Sequence, residues 1–314
     1  MSDSGLPTNA MRSTILRSGI ALALPALLPH GLTQAQVTPP GMQKRRIPSS
    51  GEMLPVIGCG TYIGFDVAPG SSAYQELRGV LAPFFDAGGA VFDSSPMYGR
   101  AEQTTGELLA ASGERGKAFL ATKVWATGKQ AGIDQINRSL SLLQSATIDL
   151  LQIHNLQDWR THLGTLRELR QRGVIRYIGI THYTSSAYDD VARIMNSEAI
   201  DFVQINYSLG EREAERTIIP IAAERGIALI ANRPFGGGSL FGGLRKRPLP
   251  PWAREIGATS WAQILLKFVL ANPAMTCAIP GTAKVQYMID NVGAGMGEIP
   301  PPAFWAQPAH RIEL

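Results

Sequence analysis

The chain has 314 residues, 45% of them apolar and 17% charged, a composition that supports a large hydrophobic core and excludes global disorder. Lys and Arg exceed Asp and Glu by 29 to 25, and this mild excess gives no argument for nucleic-acid binding. No apolar stretch approaches the roughly 20 residues of a membrane-spanning helix. Two cysteines are too few for a disulfide framework or a four-cysteine zinc site, and the five histidines lack the spacing of a histidine-rich metallohydrolase.

The amino-terminal region has the three-part layout of a secretory signal. Arg12 and Arg17 give a basic start, residues 20–28 are apolar, and small residues at 33–35 suit a signal peptidase. Residues 1–35 are therefore predicted to be a signal peptide, with a disordered tail or a mitochondrial-type presequence as the alternatives. A functional signal predicts a periplasmic or secreted protein, and its absence would predict a cytoplasmic one.

Two further segments follow the predicted signal. Residues 36–42 are rich in Pro and Gly and are predicted to be a linker. Residues 43–310 are predicted to form one barrel domain. Its first part, 43–54, has the pattern of a small hairpin that would close the floor of the barrel.

From residue 55 the sequence alternates short apolar runs with longer segments of helical spacing. Consecutive runs from residue 91 to residue 228 begin 25 to 31 residues apart, which is close to one strand–helix unit each. Eight such strands predict an α/β fold, a (β/α)8 TIM barrel. The predicted strands are 56–61, 91–94, 119–124, 150–154, 177–181, 202–206, 228–232 and 277–280.

The main alternative fold is an open doubly wound sheet. That fold requires a glycine-rich phosphate loop that opens a helix after the first strand, and residues 58–64 do not have this form. In the barrel, a long loop rich in Gly, Pro and cations, 235–251, follows strand seven. Loops of this length in a compact domain are usually functional.

Four polar residues lie at the carboxyl ends of three neighbouring predicted strands, where barrel enzymes place their active sites. Asp93 and Tyr98 follow the second strand, Lys123 lies near the end of the third, and His154 ends the fourth. Each has a structural explanation: a cap, a packed aromatic, a neutralising cation or a core histidine. Together they form a set for protonating an oxyanion.

The chemistry of that set follows from charge. A buried lysine needs a partner, and Asp93 is the obvious one. The Lys123 cation beside a phenol is expected to lower the pKa of Tyr98 from about 10 and make it a proton donor. A neutral His154 would hydrogen-bond a carbonyl oxygen.

Five ordered motifs resemble the aldo-keto reductase family, over roughly residues 43–294. They are 89–93 with Tyr98-Gly99 and 107–109; 121–123; 151–154; 173–180; and 278–282 with Asp290-Asn291. The resemblance implies a barrel that binds NADPH, with NADH as the alternative, without a Rossmann domain. Hydride would pass from nicotinamide C4 to a carbonyl carbon; Tyr98 would donate the proton, Lys123 and Asp93 would tune it, and His154 would position the carbonyl.

The resemblance also implies the cofactor contacts. Gln204 matches the amide-binding glutamine, Arg233 stands where an aromatic side chain often stacks on the nicotinamide, and Lys284 would bind the 2′-phosphate. The full predicted set is Thr61, Tyr62, Thr181, His182, Gln204, Arg233, Pro234, Phe235, Gly236, Ser239, Gly281, Thr282, Lys284 and Asn291.

A small aldehyde or ketone is the predicted substrate, in a pocket walled by Tyr62, Trp125 and Trp159. No metal, nucleic acid, stable membrane span or protein partner is predicted. Cys59 and Cys277 lie on strands that barrel closure makes neighbours, so a disulfide is one outcome and buried free thiols are the other.

Two other functions compete with the reductase. A cofactor-sensing regulatory or binding protein could use the same fold, since fold does not determine function. A metal-dependent isomerase or lyase would need several acidic or histidine ligands at strand ends, where only Asp93 and His154 qualify. Export would also place the protein where free NADPH is scarce.

Overall fold

A two-stranded hairpin precedes the barrel in the computed structural model, which describes residues 41–314. Strands β1 (Lys44–Arg46) and β2 (Met53–Pro55) pair antiparallel. Ile47 and Leu54 are buried within the interior cluster of the barrel strands. The hairpin thus fills the amino-terminal end of the barrel, as the sequence predicts.

Eight parallel strands form the barrel wall, each paired with its neighbours in chain order. Ile57 pairs with Ala278 and Gly60 pairs with Gly281, so the first and last strands also meet. A Cβ on Gly60 would lie 2.8 Å from the Ile279 carbonyl oxygen, which explains the glycine at this seam. The strands are β3 (Cys59–Gly60), β4 (Val91–Asp93), β5 (Phe119–Val124), β6 (Ile148–His154), β7 (Ile175–Thr181), β8 (Phe202–Asn206), β9 (Ala228–Asn232) and β10 (Met275–Ala278).

The (β/α)8 barrel is therefore confirmed and the doubly wound alternative is excluded. Helices cover the outside of the wall, and the longer ones bury a stripe of apolar side chains, such as Leu163, Leu166 and Leu169 on one of them. The helices are α1 (Ser72–Asp86), α2 (Ala101–Ser112), α3 (Lys129–Leu142), α4 (Trp159–Gln171), α5 (Tyr188–Ser197), α6 (Ile218–Arg225), α7 (Phe241–Leu244), α8 (Trp261–Leu270), α9 (Val285–Gly293) and α10 (Pro302–Trp305).

Alternate side chains of the strands enter two different cores. Cys277 belongs to the cluster inside the barrel, whereas Cys59 belongs to the cluster between the strands and the helices. Both cysteines of the chain are buried, free thiols. The disulfide hypothesis is therefore wrong, because neighbouring strands here direct these two side chains to opposite faces of the wall.

The long segment between β9 and α8 contains α7 and packs against the carboxyl-terminal end of the chain. Arg247 Nη1 donates to the Glu313 carbonyl oxygen at 2.6 Å, and Trp261 Nε1 donates to the Arg247 carbonyl oxygen at 3.0 Å. The long loop predicted after strand seven is thus present and is tied to the tail.

The predicted signal peptide, 1–35, lies outside the described residues, as does most of the predicted linker. Of that linker only Gly41 and Met42 are described, and Met42 packs into the outer core. Among residues 41–314 no helix has both the length and the apolar character that a membrane crossing requires.

Candidate active site

A buried ion pair lies at the centre of the carboxyl-terminal end of the barrel. Lys123 Nζ is 2.6 Å from Asp93 Oδ1, and both side chains are almost fully excluded from solvent. The same ammonium donates to the Ser94 carbonyl oxygen at 2.7 Å. The pKa of Lys123 is raised, because the attraction of Asp93 and Tyr98 outweighs the burial that opposes it. Lys123 is therefore charged at neutral pH.

Two amide side chains complete the environment of Asp93. Gln152 Nε2 donates to Asp93 Oδ2 at 3.0 Å, and Gln204 Nε2 donates to the same oxygen at 2.7 Å. Gln204 Nε2 also lies 3.2 Å from Gln152 Oε1. Three strands besides that of Asp93 thus contribute side chains to one carboxylate, and these hydrogen bonds fix its position beneath Lys123.

Tyr98 lies beside this pair, with Lys123 Nζ 5.0 Å from its ring centroid. Burial raises the pKa of Tyr98, and the nearby Lys123 charge counteracts only part of that increase. The expectation that the cation would bring this pKa below its ordinary value is therefore wrong. Desolvation of the phenolate exceeds the stabilisation that Lys123 provides. Tyr98 is a neutral phenol that holds its proton at neutral pH.

His154 faces the edge of the Tyr98 ring, with centroids 6.2 Å apart and planes at 90°. Its Nδ1 lies 3.1 Å from the hydroxyl of Ser95. Burial, together with the charge of Lys123 and the neighbouring His182, lowers the pKa of His154 to about 3. The imidazole is therefore neutral above about pH 4. A phenol, an ammonium and a neutral imidazole thus meet at one place, and the structure brings all four predicted catalytic side chains together.

Several predicted cofactor residues already have partners within the protein. The Thr61 hydroxyl is 3.0 Å from the Asp93 carbonyl oxygen and 2.9 Å from Ser94 Oγ, and it is fully buried. The Thr181 hydroxyl donates to Gln204 Oε1 at 3.3 Å. Because the oxygen and the nitrogen of the Gln204 amide are both engaged, a cofactor amide would have to compete with these contacts.

His182 and Asn232 lie near Gln204 on the same edge of the barrel. His182 Nδ1 accepts the Thr184 backbone N–H, and burial lowers the pKa of His182. Asn232 Nδ2 donates to the His182 carbonyl oxygen at 3.2 Å. Asn232 Oδ1 is buried and makes no hydrogen bond within residues 41–314. It is an acceptor that an incoming N–H group could satisfy.

Arg233 begins the glycine-rich turn after β9. Its backbone has a positive φ of 49°, and its Nη2 lies 3.2 Å from the position that a Cβ on Gly237 would take. The exposed guanidinium therefore lies against this turn, alongside Pro234, Phe235 and Gly236. The Ser239 hydroxyl at the end of the turn donates to the Gly236 carbonyl oxygen at 2.8 Å.

The remaining predicted cofactor residues lie near the start of α9. Thr282 is buried and its hydroxyl accepts the Lys284 backbone N–H at 3.1 Å, while the Lys284 side chain is exposed. Gly281 pairs with the first barrel strand, and Asn291 is buried on α9. Helix α9 begins at Val285, immediately after Lys284.

Aromatic side chains surround the mouth of the site. Tyr62 is 62% exposed with its ring 5.0 Å from that of Tyr98, and Trp125 is 41% exposed. Trp159 is half-buried at the start of α4, with the Arg160 guanidinium over its ring. Met97 and Tyr183 are exposed apolar side chains on loops at this end of the barrel. Within the described part of the chain, no three His, Cys, Asp or Glu side chains are grouped to hold a metal ion.

Residues 56–301 match the family model described as "Aldo/keto reductase family". This match covers most of the chain. The chain belongs to the aldo-keto reductase family. It is an oxidoreductase of the type that uses a nicotinamide cofactor, and the resemblance inferred from the sequence is confirmed at this level.

The matches to relatives and solved structures of this family extend over most of this chain and most of each matched chain. "Methylglyoxal reductase YeaE" of Escherichia coli (strain K12) is 28% identical over 259 residues, covering 80% of this chain and 89% of the relative. "Aldo-keto reductase str7" of Strobilurus tenacellus is 28% identical over 260 residues, covering 70% and 76%. The crystal structure of an aldo-keto reductase from Klebsiella pneumoniae in complex with NADPH superposes with a TM-score of 0.69 at 25% identity, covering 81% and 89%.

Sequence reasoning missed three polar residues of this aldo-keto reductase. Gln152 contacts Asp93, Ser95 contacts His154, and Asn232 presents a buried acceptor. Each left a signal: a glutamine inside an apolar strand, a serine two positions after Asp93, and an asparagine at a strand end. The partners of Gln152 and Ser95 lie on other strands and the Asn232 oxygen has none among the described residues, so the sequence signal alone did not indicate a role.

Proposed function

We propose that this aldo-keto reductase reduces a small aldehyde or ketone with NADPH, and that Tyr98 donates the proton. The observation that carries the proposal is the grouping of a protonated Tyr98, a charged Lys123 and a neutral His154 above a fixed Asp93 carboxylate. This set stabilises negative charge on a carbonyl oxygen and supplies a proton to it.

The proposed mechanism assigns one task to each side chain. When bound at this end of the barrel, a reduced nicotinamide would supply the hydride for the carbonyl carbon. His154, neutral and half-buried, donates a hydrogen bond that orients the carbonyl oxygen. Tyr98 transfers its phenolic proton to that oxygen, and Lys123 stabilises the phenolate that remains. Asp93 keeps Lys123 charged and in place.

The residues at the barrel mouth fit a dinucleotide. Asn232 Oδ1 is a buried acceptor without a partner in the described structure, which suits the N–H of a carboxamide. The planar guanidinium of Arg233 suits stacking on the nicotinamide, and the glycine-rich turn beside it, residues 236–239, suits a pyrophosphate. Thr282 and Lys284 before α9 suit a 2′-phosphate, which favours NADPH over NADH. The NADPH complex of the Klebsiella pneumoniae relative supports the same cofactor.

The apolar mouth supports an uncharged carbonyl substrate. Tyr62, whose ring lies 5.0 Å from that of Tyr98, offers exposed apolar surface, and Met97 and Trp125 are exposed as well. The name of the Escherichia coli relative, a methylglyoxal reductase, is consistent with a small aldehyde. We therefore propose small aldehydes and ketones as the substrate class, with Tyr62, Trp125 and Trp159 as the wall residues.

A further proposal concerns location. Residues 1–35 carry the basic, apolar and small-residue pattern of a secretory signal. We propose that this segment directs export and is removed after Ala35. Amino-terminal sequencing of the protein from a periplasmic or secreted fraction tests this, and an intact amino terminus in the cytoplasm would refute it.

The decisive experiment compares wild type with Tyr98→Phe. Fluorescence titration with NADPH and with NADH is expected to show tight NADPH binding in both proteins. Turnover of NADPH with a panel of small aldehydes is expected in wild type and to fall by orders of magnitude in Tyr98→Phe. Unchanged turnover would refute the proton donor, and binding without any turnover would favour a cofactor-sensing protein.

A further inference from the structure

Ser95 connects the two side chains that would meet a carbonyl oxygen. It lies two residues after Asp93 and is completely buried. Its backbone carbonyl oxygen accepts the Tyr98 N–H at 3.0 Å, and its hydroxyl lies 3.1 Å from His154 Nδ1. One residue therefore holds both the turn that carries Tyr98 and the imidazole ring on another strand.

The hydrogen bonds of the Ser95 hydroxyl determine which nitrogen of His154 carries the proton. A hydroxyl has one proton and two lone pairs. Ser95 Oγ accepts the Met97 backbone N–H at 3.3 Å and has no other partner than His154 within residues 41–314. If His154 Nδ1 carried the ring proton, the buried hydroxyl proton of Ser95 would have no acceptor among the described residues. If Ser95 donates to Nδ1, every group in this chain of contacts is satisfied.

The other nitrogen of the ring is then the donor. His154 Nε2 makes no hydrogen bond to the described residues, and the ring is only half-buried. Building on the proposed function, we propose that Ser95 is a positioning residue that holds His154 as the neutral tautomer with its proton on Nε2, available to the carbonyl oxygen of the substrate. The low pKa of His154, about 3, agrees with a ring that stays neutral.

Nitrogen NMR of the full chain labelled in its histidines tests this directly. His154→Gln identifies the resonances. In wild type we expect a protonated Nε2 and an Nδ1 that accepts a hydrogen bond. In Ser95→Ala the Nδ1 resonance should move to the position of an acceptor without a donor, and Ser95→Thr should restore it. The His162 resonances serve as an internal reference.

Kinetics give a second readout with a matched control. Ser95→Ala should lower kcat about tenfold, the effect of losing one neutral hydrogen bond, without changing the Kd for NADPH. Thr165→Val also removes a buried hydroxyl, on α4 outside the site, and should leave kcat unchanged.

Three results would overturn the proposal: a wild-type His154 protonated on Nδ1, histidine resonances that Ser95→Ala leaves unchanged, or a kcat that Ser95→Thr does not restore. If the Ser95→Ala variant does not fold, the tautomer of His154 in the wild-type protein still tests the proposal. The NMR result does not depend on turnover, so it separates failure of this proposal from failure of the reductase function.

Discussion

Lys123 Nζ lies 2.6 Å from Asp93 Oδ1 in a region that solvent does not reach. Removing one member of such a pair leaves an uncompensated buried charge, which typically costs about 3–5 kcal/mol. Lys123→Met is therefore expected to lower the free energy of unfolding by about this amount and to lower kcat by orders of magnitude.

The double variant Lys123→Met with Asp93→Leu separates stability from activity. With both charges removed, we expect much of the lost stability to return while kcat stays as low as in the single variant. Urea unfolding and steady-state kinetics of the three proteins measure this. A double variant that recovers turnover would contradict the role of the pair in proton transfer.

The pH profile of kcat/KM should be flat near neutrality. The pKa of His154 is lowered to about 3, so this ring stays neutral as the pH falls until about that value. The pKa of Tyr98 is raised above its ordinary value, so the proton donor stays protonated as the pH rises through 8 and beyond. We expect no titration in kcat/KM between about pH 5 and 8, since this ratio reports the free enzyme. A limb near the ordinary histidine value of 6.5 would contradict the assignment for His154.

Gln204 and Asn232 should affect cofactor binding differently. The amide of Gln204 is committed to Asp93, Gln152 and Thr181, whereas Asn232 Oδ1 has no partner among the described residues. We expect Gln204→Leu to lower stability and kcat while the Kd for NADPH changes little. Asn232→Leu should raise that Kd.

Calorimetric titration of the two variants, each checked for folding, measures this contrast. A Gln204→Leu protein that folds like wild type but binds NADPH at least about tenfold more weakly would reverse the assignment. It would instead support the cofactor contact that the family resemblance implies for Gln204.

Lys267 is buried on α8 and donates to the Met296 and Glu298 carbonyl oxygens at 3.1 and 2.7 Å. Burial lowers the pKa of Lys267 from 10.5 to about 8. Between these values the unfolded chain retains a proton that the folded chain releases, so Lys267 makes stability rise with pH in this window. The cost of its buried charge is fully present below about pH 8.

Lys267→Met should lack this contribution. The free energy of unfolding of wild type, minus that of the variant, is expected to increase from pH 8 to pH 10. The exposed Lys246→Met serves as the control and should follow wild type. Equal pH slopes in wild type and Lys267→Met would show that Lys267 is charged throughout.

Much of the barrel followed from local pattern. The predicted strands 119–124, 202–206 and 228–232 coincide with β5, β8 and β9. The first predicted strand, 56–61, is reduced to Cys59–Gly60 with Ile57 in an isolated bridge. Periodicity identifies a buried strand well, but the seam of the barrel depends on how closely two distant backbones approach.

The sequence by itself determined the strand–helix rhythm and the placement of Asp93, Tyr98, Lys123 and His154 at strand ends, because both are properties of short segments. Only the tertiary structure decided the partners of these residues. Ser95 and His154 are 59 positions apart, and Asp93 and Gln204 are 111 apart. Such contacts depend on the register of strands around the closed wall. The pKa of Tyr98 likewise depends on all surrounding groups. Desolvation raises this pKa by more than the Lys123 charge, the one charge that the sequence placed nearby, lowers it.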